Sequence, residues 1–269
     1  MMPTMMPPLI SRPLLGAVLA AVLLAAPAAL ADPTRPGDLH QLLQTLDERQ
    51  RNGGDSKSLV YIEQKQKDKE DVVCEAVVYR RDTRDQLMIL MTRPKSEAGK
   101  GYLRLDKNLW SYDPNTGKWE RRTERERIAG SDSHRTDFDG PRLAEQYEPR
   151  YEGEEKLGRF TAWKLVLSAK PGVDVAYPVV HLWVDEDTSN ILKRQEYALS
   201  GRLMRTAYYP RWARLFSDAK KADVWYPQEM RFYDEVEKAG STVIVIKSVD
   251  LHPLEDSLFT KAWLESKSH

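Results

Sequence analysis

The first regular feature of the chain is a run of leucines at helical spacing. Leu39, Leu42, Leu43 and Leu46 recur at i, i+3, i+4 and i+7, which places four apolar side chains on one face of a helix. We expect this helix over residues 37–51, because the turn-forming stretch Asn-Gly-Gly-Asp follows it. An amphipathic helix needs an apolar surface to pack on, so the rest of the chain must supply one.

From Lys57 onward the pattern changes to short β-branched and aromatic runs separated by turn residues. Several of the connections are short and carry hairpin residues, which predicts antiparallel neighbours. No helix-length segment lies between the runs to serve as a crossover, so a doubly wound parallel sheet is excluded. About twelve strands are predicted, over residues 57–66, 71–81, 86–93, 101–112, 118–127, 146–152, 159–169, 178–185, 191–199, 202–209, 225–234 and 241–250.

Two of these strands are apolar on both faces. Residues 87–91 and 243–246 do not alternate, whereas Trp163, Leu165 and Leu167 are set against the polar residues Lys164 and Ser168. A mainly β fold of α+β type explains both patterns: a strongly curved antiparallel sheet forming a half-open barrel, with helices covering its concave face. The leucine helix and the stretch over residues 130–146 are the helices expected there. A two-layer β-sandwich with an ordinary core is the alternative.

The N-terminus has the features of a secretory signal peptide. A short region with one cation, Arg12, precedes an apolar run over residues 14–26, and Ala29 and Ala31 supply small residues at the cleavage positions. We therefore expect residues 1–31 to be removed and residues 32–269 to form a single domain. Residue 32 is Asp and not the Cys of a lipoprotein, so a freely soluble, exported protein is predicted. An uncleaved membrane anchor is the alternative.

Charge and cysteine content narrow the class of partner. The chain has 41 Lys and Arg against 41 Asp and Glu, which gives no electrostatic reason to expect nucleic acid or an anionic membrane surface as a partner. The single cysteine, Cys74, lies in an apolar run and cannot close an intrachain disulfide. Its simplest interpretation is a small strand residue.

The residue types needed for catalysis are present but not arranged for it. The five histidines are scattered, and none lies three or four positions from another His or Cys, as a metal site prefers. Residues 131–134 contain Ser, Asp and His without a Gly-x-Ser-x-Gly elbow, and residues 137–140 lack the ligand series of a calcium loop. We expect no metal, no cofactor and no enzymatic activity, with a secreted hydrolase as the alternative. A helix-lined β domain without catalytic groups favours a protein that binds an apolar ligand.

An ordered set of short motifs between residues 57 and 265 resembles the LolA-like family of outer-membrane lipoprotein-sorting proteins. The set begins with Met91-Thr92-Arg93-Pro94, Gly101-Tyr102-Leu103, Asn108-Leu109-Trp110-Ser111-Tyr112-Asp113-Pro114 and Gly130-Ser131-Asp132. It continues with Tyr151-Glu152-Gly153, Leu182-Trp183-Val184-Asp185, Trp225-Tyr226-Pro227 with Met230, and Leu258-Phe259-Thr260 before Leu264.

This resemblance implies a half-open antiparallel sheet whose apolar cavity shields acyl chains during passage across the periplasm. The expected partners are lipid or lipoprotein acyl chains, an inner-membrane transporter of the ABC or RND type, and an outer-membrane acceptor, and a monomer is expected. The resemblance also implies that an Arg before a Pro restrains a helical lid over the empty cavity by bonding backbone carbonyls. Arg93 is the matching residue, and a strand-end surface Arg is the alternative.

Eight residues are predicted to line the cavity. Four methionines remain after signal removal, and flexible thioethers on strands suit an adaptable apolar pocket. The predicted wall comprises Met88, Leu90, Trp110, Tyr112, Leu165, Leu182, Met204 and Met230, for which an ordinary core is the alternative. Two further functions share this architecture: a lipid-binding partner of an RND-type lipid exporter, and a lipoprotein-sensing module of envelope-stress regulation.

Overall fold

The computed structural model describes residues 37–67, 70–105, 108–122, 137, 141–238 and 240–268. The helices are α1 (Leu39–Arg49), α2 (Leu143–Gln146) and α3 (Lys261–Lys267). The strands are β1 (Asp55–Gln66), β2 (Val72–Arg81), β3 (Gln86–Arg93), β4 (Gly101–Leu105), β5 (Asn108–Asp113), β6 (Lys118–Arg122), β7 (Tyr147–Leu157), β8 (Phe160–Ala169), β9 (Val179–Asp185), β10 (Ile191–Tyr197), β11 (Leu203–Ser217), β12 (Ala222–Asp234) and β13 (Gly240–Asp250).

All of these strands belong to one antiparallel sheet that is not closed. The spatial order is β6-β5-β4-β3-β2-β1-β13-β12-β11-β10-β9-β8-β7, so β6 and β7 are its two edges. Two meanders therefore meet at the centre of the sheet, where β1 pairs with β13 from Lys57 opposite Asp250 to Gln66 opposite Gly240. The single mainly β sheet predicted from the pattern is confirmed, and the two-layer sandwich is wrong.

The face of the sheet that carries α1 is called the inner face here. The Asp38 side chain caps α1 by accepting from the backbone nitrogens of His40 and Gln41, at 2.8 and 3.1 Å. The buried leucines of the helix, Leu42, Leu43 and Leu46, pack on a cluster that contains Leu165, Leu167, Val180, Leu182 and Val184. Three of the four leucines predicted to face the sheet are therefore buried, and Leu39 packs beside them.

A second buried cluster continues the inner face across the centre of the sheet. Val60, Ile62, Ala76, Ile89, Phe232 and Ile244 are among its members, and so is Cys74, which is the buried strand residue expected from the sequence. Burial raises the pKa of the Cys74 thiol, which lowers its reactivity at neutral pH. Tyr209 packs against both inner clusters, so the apolar surface is continuous from α1 to β3.

The opposite face, the outer face, is covered over β2 to β6 by the C-terminal segment. A 3-10 turn (Asp256–Phe259) and α3 bury Leu258, Phe259 and Leu264 against the sheet. Gly101 lies under α3, where an added Cβ would come within 2.6 Å of Leu264 Cδ1. The close approach of helix and strand therefore requires glycine at this position.

A buried ion pair fixes this segment to the sheet. The Arg81 Nε and Nη2 atoms donate to the two Asp55 carboxylate oxygens at 2.8 and 2.9 Å, and Arg81 also pairs with Asp256. The Leu254 backbone nitrogen donates to the same Asp55 carboxylate at 2.6 Å. The Arg81 hydrogen bonds to Asp55 hold the pKa of that carboxyl below its ordinary value. We call this set of contacts the outer clamp.

Several element boundaries differ from the sequence-based prediction. The strand predicted over residues 101–112 is two antiparallel strands, β4 and β5, because Leu105 pairs with Asn108 across a tight connection. The helix predicted over residues 130–146 is α2 at its C-terminal end, and Asp137 is helical, while residues 130–136 and 138–140 lie outside the described residues. The predicted signal peptide, residues 1–31, also lies outside them and stays a prediction. Across the part of the chain that is described, no helix is both long and apolar enough to cross a membrane.

Candidate functional site

An apolar groove lies on the inner face at the meeting of the two meanders. Its wall is formed by side chains of β1, β2, β12 and β13, and the groove has a volume of about 150 Å³. The apolar wall residues include Val60, Val78, Met230, Ile244 and Ile246. They face one another because Val60 pairs with Ile246 and Met230 pairs with Ile244 in the antiparallel register.

A smaller chamber of about 60 Å³ lies beside the groove, towards α1. Leu182, Ile191, Trp212 and Phe232 line it, and Met230 borders both spaces. Gln50, Asp137, Pro141 and Pro227 also border both. Met230 is therefore one of five residues on the boundary between the two spaces, and its flexible apolar side chain makes that boundary adaptable.

The size of the groove limits what it holds as it stands. A dry cavity of about 150 Å³ in another protein takes up benzene, whereas pockets for drug-sized ligands measure about 300–1,000 Å³. The groove thus fits a ring or a short alkyl segment, and a long acyl chain requires it to widen into the neighbouring chamber.

The mouth of the groove is polar. Ser56 and Ser58 of β1 and Arg80 of β2 line it, and the Arg80 Nε lies 2.8 Å from an Asp82 carboxylate oxygen. Asp82 also accepts hydrogen bonds from the backbone nitrogens of Asn52 and Gly53, at 2.6 and 3.2 Å. The loop after α1 is thereby tied to the rim of the groove.

A buried group of four charges adjoins the groove and the chamber through Asp137, which borders both spaces, and Arg194, which lines the chamber. Arg205 donates to both carboxylate oxygens of Asp137, from Nη1 to Oδ1 at 2.9 Å and from Nη2 to Oδ2. The same Nη1 lies 3.3 Å from Oε2 of Glu196. Arg194 pairs with the other oxygen of Glu196. The side chains of Arg205 and Asp137 are only 4% and 3% exposed. We call these residues the buried charge cluster.

Electrostatics within the cluster favour the ionised state of both arginines. Burial alone would lower the pKa of Arg205, but the carboxylates of Asp137 and Glu196 raise it above its ordinary value. The pKa of Arg194 is raised in the same way against its burial, chiefly by Glu196. Nearby, burial raises the pKa of Tyr177 to about 12, as expected for a dry environment. Both arginines therefore carry a full positive charge at neutral pH.

Four of the eight predicted wall residues lie on the inner face. Met230 borders the groove and Leu182 lines the chamber. Leu165 is fully buried under α1 in the same cluster, and Met204 packs partly buried at the edge of that cluster. The structure brings these four together.

The other four lie on the outer face, which corrects their grouping with the first four. Met88 and Tyr112 are buried under the C-terminal segment, and Leu90 packs at the edge of the same cluster. Trp110 pairs across the strands with the outer-face residue Leu103, and the Lys261 ammonium lies 4.4 Å from the centre of its ring. The sequence indicated that β3 is apolar on both faces but could not assign each face to its cover. A lipid-binding role for these four stays a prediction.

Arg93 lies at the end of β3 on the outer face. Its Cα partner is Glu75, and its Nε lies 3.3 Å from the Glu75 carboxylate. The Arg93 side chain is 74% exposed. Most of the predicted lid, within residues 130–146, lies outside the described residues, so the lid-restraining role of Arg93 stays a prediction.

The buried charge cluster was missed by sequence analysis. Arg194 and Glu196 lie in the polar-looking run Ile-Leu-Lys-Arg-Gln-Glu-Tyr of β10, which reads as a solvated strand. The available signal was their i, i+2 spacing, which places both side chains on one face next to the apolar residue Leu182. No group of three or more His, Cys, Asp or Glu side chains suitable for a metal ion occurs within the described ranges.

Solved structures with the same architecture place the chain in a known class. A LolA superfamily protein from Nitrosomonas europaea is 21% identical over 83% of this chain and 97% of its own, with a TM-score of 0.68. A Vibrio parahaemolyticus domain described as an outer membrane lipoprotein-sorting protein is 17% identical over 84% and 97%, with a TM-score of 0.72. A DUF1329 family protein from Desulfovibrio piger is 21% identical over 84% and 97%, also with a TM-score of 0.72. The protein therefore has a LolA-like fold, as the resemblance implied.

A family model agrees with this assignment. The model, whose description reads "uncharacterized protein", matches residues 83–266, which is more than half of the chain, so the chain belongs to that family. The matched region runs from the end of β2 through α3 and includes the buried charge cluster. No curated protein sequence matches the chain.

Proposed function

We propose that the protein is a periplasmic carrier that binds acyl chains of lipoproteins or other lipids in its groove and moves them from the inner membrane towards the outer membrane. The observation that carries this proposal is the apolar groove on the inner face of a LolA-like sheet, with a polar mouth and a flexible Met230 at its inner end. The description of the Vibrio domain as lipoprotein-sorting supports the same class of ligand.

The physical need for such a carrier follows from the cost of exposing an acyl chain. Each methylene group gains about 0.8 kcal/mol when it leaves water, so one long acyl chain in water costs about 10 kcal/mol. A groove that replaces this water with Val, Ile and Met side chains offsets the cost for the methylene groups it encloses, without any catalytic step. The carrier therefore needs neither a cofactor nor an enzymatic group.

The proposed route defines the partners. An inner-membrane transporter of the ABC or RND type would load the carrier, and an outer-membrane acceptor would receive the lipid. The polar end of the groove around Arg80 and Asp82 is the proposed entrance for the lipid.

The first test identifies the natural ligand. Native mass spectrometry of protein purified from the periplasm, followed by organic extraction, should show a bound species with at least one acyl chain. A protein found outside the periplasm, or one that carries no lipid when isolated from cells, would contradict the proposal.

The second test uses two neighbouring residues of β13 that face opposite ways. Ile246 lines the groove and Val245 lies on the outer face opposite Tyr61, and both are partly buried. Ile246→Asp should weaken binding of a fluorescent fatty acid at least tenfold, because a charge in the groove opposes an apolar chain. Val245→Asp is the matched control and should bind as the wild type does. Equal binding by two folded variants would argue against the groove.

A further inference from the structure

The buried charge cluster is balanced by one residue from outside the sheet. Arg194, Glu196 and Arg205 lie on β10 and β11, and their side chains share the inner face because Arg194 pairs with Ala207 and Glu196 pairs with Arg205. Among the described residues, the two strands bring two cations and one carboxylate together, and Asp137 supplies a second carboxylate to them. An unpaired cation in this position would be strongly unfavourable, so the cluster requires one anion at the place of Asp137.

The contact between Arg205 and Asp137 has the geometry of ligand recognition. Both terminal guanidinium nitrogens face the two carboxylate oxygens, which is the bidentate arrangement that an arginine makes with any carboxylate. The other side of the guanidinium lies 4.3 Å from the centre of the Phe232 ring. Arg205 is thus held in a fixed orientation by Glu196 and Phe232, independently of Asp137.

Arg205 is linked to both apolar spaces through Asp137, the residue with which it pairs. Asp137 and Met230 border the groove and the chamber alike, and Phe232 lines the chamber. A molecule that placed a carboxylate on Arg205 would therefore extend its remaining atoms along Met230 and Ile244. An apolar chain with one negative charge at its end combines the two properties that the site offers.

We infer that Arg205 is the headgroup site for a singly charged anionic amphiphile of the fatty-acid class, whose carboxylate takes the place of the Asp137 carboxylate. This inference rests on the proposed function, because it uses the groove as the place of the acyl chain. It adds a chemical preference: the protein distinguishes a free acid from its neutral ester. Asp137 acts as an internal competitor for the headgroup site and keeps the empty protein electrically balanced.

The test compares laurate with methyl laurate, which has the same chain and no charge. Asp137→Asn keeps the shape of the side chain and removes its charge, so the ratio of laurate affinity to methyl laurate affinity should rise at least tenfold over the wild-type ratio. Asp187→Asn, in the exposed turn after β9, is the control for a change in net charge and should alter neither affinity. Binding is measured by isothermal titration calorimetry.

A second variant separates the headgroup site from a change in folding. Arg205→Gln alone leaves two carboxylates against one cation and risks unfolding, whereas the double variant Asp137→Asn with Arg205→Gln keeps the cluster neutral. The double variant should remain folded by circular dichroism and lose the rise in the laurate-to-ester affinity ratio. Acetate, which carries the charge without the chain, should bind none of the proteins at the concentrations at which laurate binds.

The outcomes that overturn the inference are distinct from those that overturn the function. Binding of both amphiphiles with an unchanged laurate-to-ester ratio in Asp137→Asn would overturn the headgroup site and leave the groove as proposed. Acetate binding as tight as that of laurate would show a simple anion site and overturn the amphiphile. Failure of the wild type and all variants to bind either amphiphile would overturn the proposed function and this inference together.

Discussion

The two faces of the sheet are built from equally apolar residues but are covered in different ways. On the outer face, Met88 and Leu103 are fully buried under a segment that the outer clamp fixes in place, and Leu264 of that segment is fully buried against the sheet. On the inner face, α1 covers Leu165 and Leu182, and a groove of about 150 Å³ lies beside Met230 at the centre of the sheet. One strand, β3, contributes to both faces: Met88 to the outer and Ile89 to the inner.

The difference shows that burial and binding capacity are separate properties of an apolar surface. A close-packed cover maximises dispersion contacts and has no room for a ligand. On the inner face, side chains around the groove make fewer packing contacts, and the buried charge cluster lies nearby. If this comparison is correct, substitutions on the outer face should change stability without changing ligand affinity, and substitutions at the groove should change affinity at a smaller cost in stability.

The largest expected effect is at the outer clamp. Asp55→Asn leaves Arg81 without its bidentate partner in a buried position, which should lower the free energy of unfolding by about 3–5 kcal/mol. Urea denaturation measures the loss. The control is Asp256→Asn, because Asp256 also pairs with Arg81 but its side chain is 73% exposed, and it should cost about 1 kcal/mol or less. Equal losses in the two variants would contradict the clamp.

The second largest loss of stability is expected when a buried side chain of the C-terminal helix α3 is shortened. Leu264→Ala removes a fully buried side chain between α3 and Gly101, and such changes cost about 2–5 kcal/mol. Fatty-acid affinity of the folded protein should stay within twofold of the wild type, since the sheet separates Leu264 from the groove. A tenfold change in affinity would show that the two faces are coupled.

A substitution of the same kind on the inner face, Met230→Ala, tests the difference between the two faces. Met230→Ala should destabilise by about 2 kcal/mol, at the lower end of the range for buried Met, because the side chain already borders empty space. It joins the groove to the chamber, so longer acyl chains should gain affinity relative to short ones. Titration with fatty acids of increasing length measures this, and an unchanged chain-length preference would count against Met230 as the divider.

Acid should weaken the outer face selectively. The pKa of Asp55 is lowered by its hydrogen bonds to Arg81, so its folded-state value lies below the ordinary value of about 3.9. The stability that this contributes is complete above about pH 4 and is lost as the pH falls from there through the folded-state pKa. Unfolding measured between pH 5 and pH 2 should show this loss in the wild type and a flatter dependence in Asp55→Asn. Parallel curves would place the acid sensitivity elsewhere.

The smallest effect on stability is expected at Arg93. Its exposed pair with Glu75 should contribute less than about 1 kcal/mol, so Arg93→Leu should unfold close to the wild-type denaturant concentration. The predicted restraint of a lid gives a separate expectation for function: cargo should load but fail to pass to acceptor membranes. Transfer of cargo at the wild-type rate would contradict the lid-restraining role of Arg93.

The sequence predicted the strands of the sheet better than it predicted which segments pack on its two faces. The opposition of Trp163, Leu165 and Leu167 to Lys164 and Ser168 in β8 and the non-alternating run in β3 are local patterns, so they could be recognised in the sequence. The assignment of Met88 and Tyr112 to the outer face depends on where residues 254–268 return, which is a long-range contact without a local signal. The buried ion pairs of Arg205 could not be predicted for the same reason, because its partners Asp137 and Glu196 come from separate parts of the chain.

The pairing of β1 with β13 has a consequence for how the protein forms. A chain is synthesised from its N-terminus, so the strand made first must wait for the strand made last before the centre of the sheet exists. Pairing between such distant segments is slow, because the entropy of closing the intervening loop is lost before the contact stabilises it. Until then the β13-facing edge of β1 is open to other strands. The groove lies where β1 and β13 pair, so its wall is complete only after this last pairing. A chain that has not yet formed β13 therefore cannot bind the ligand.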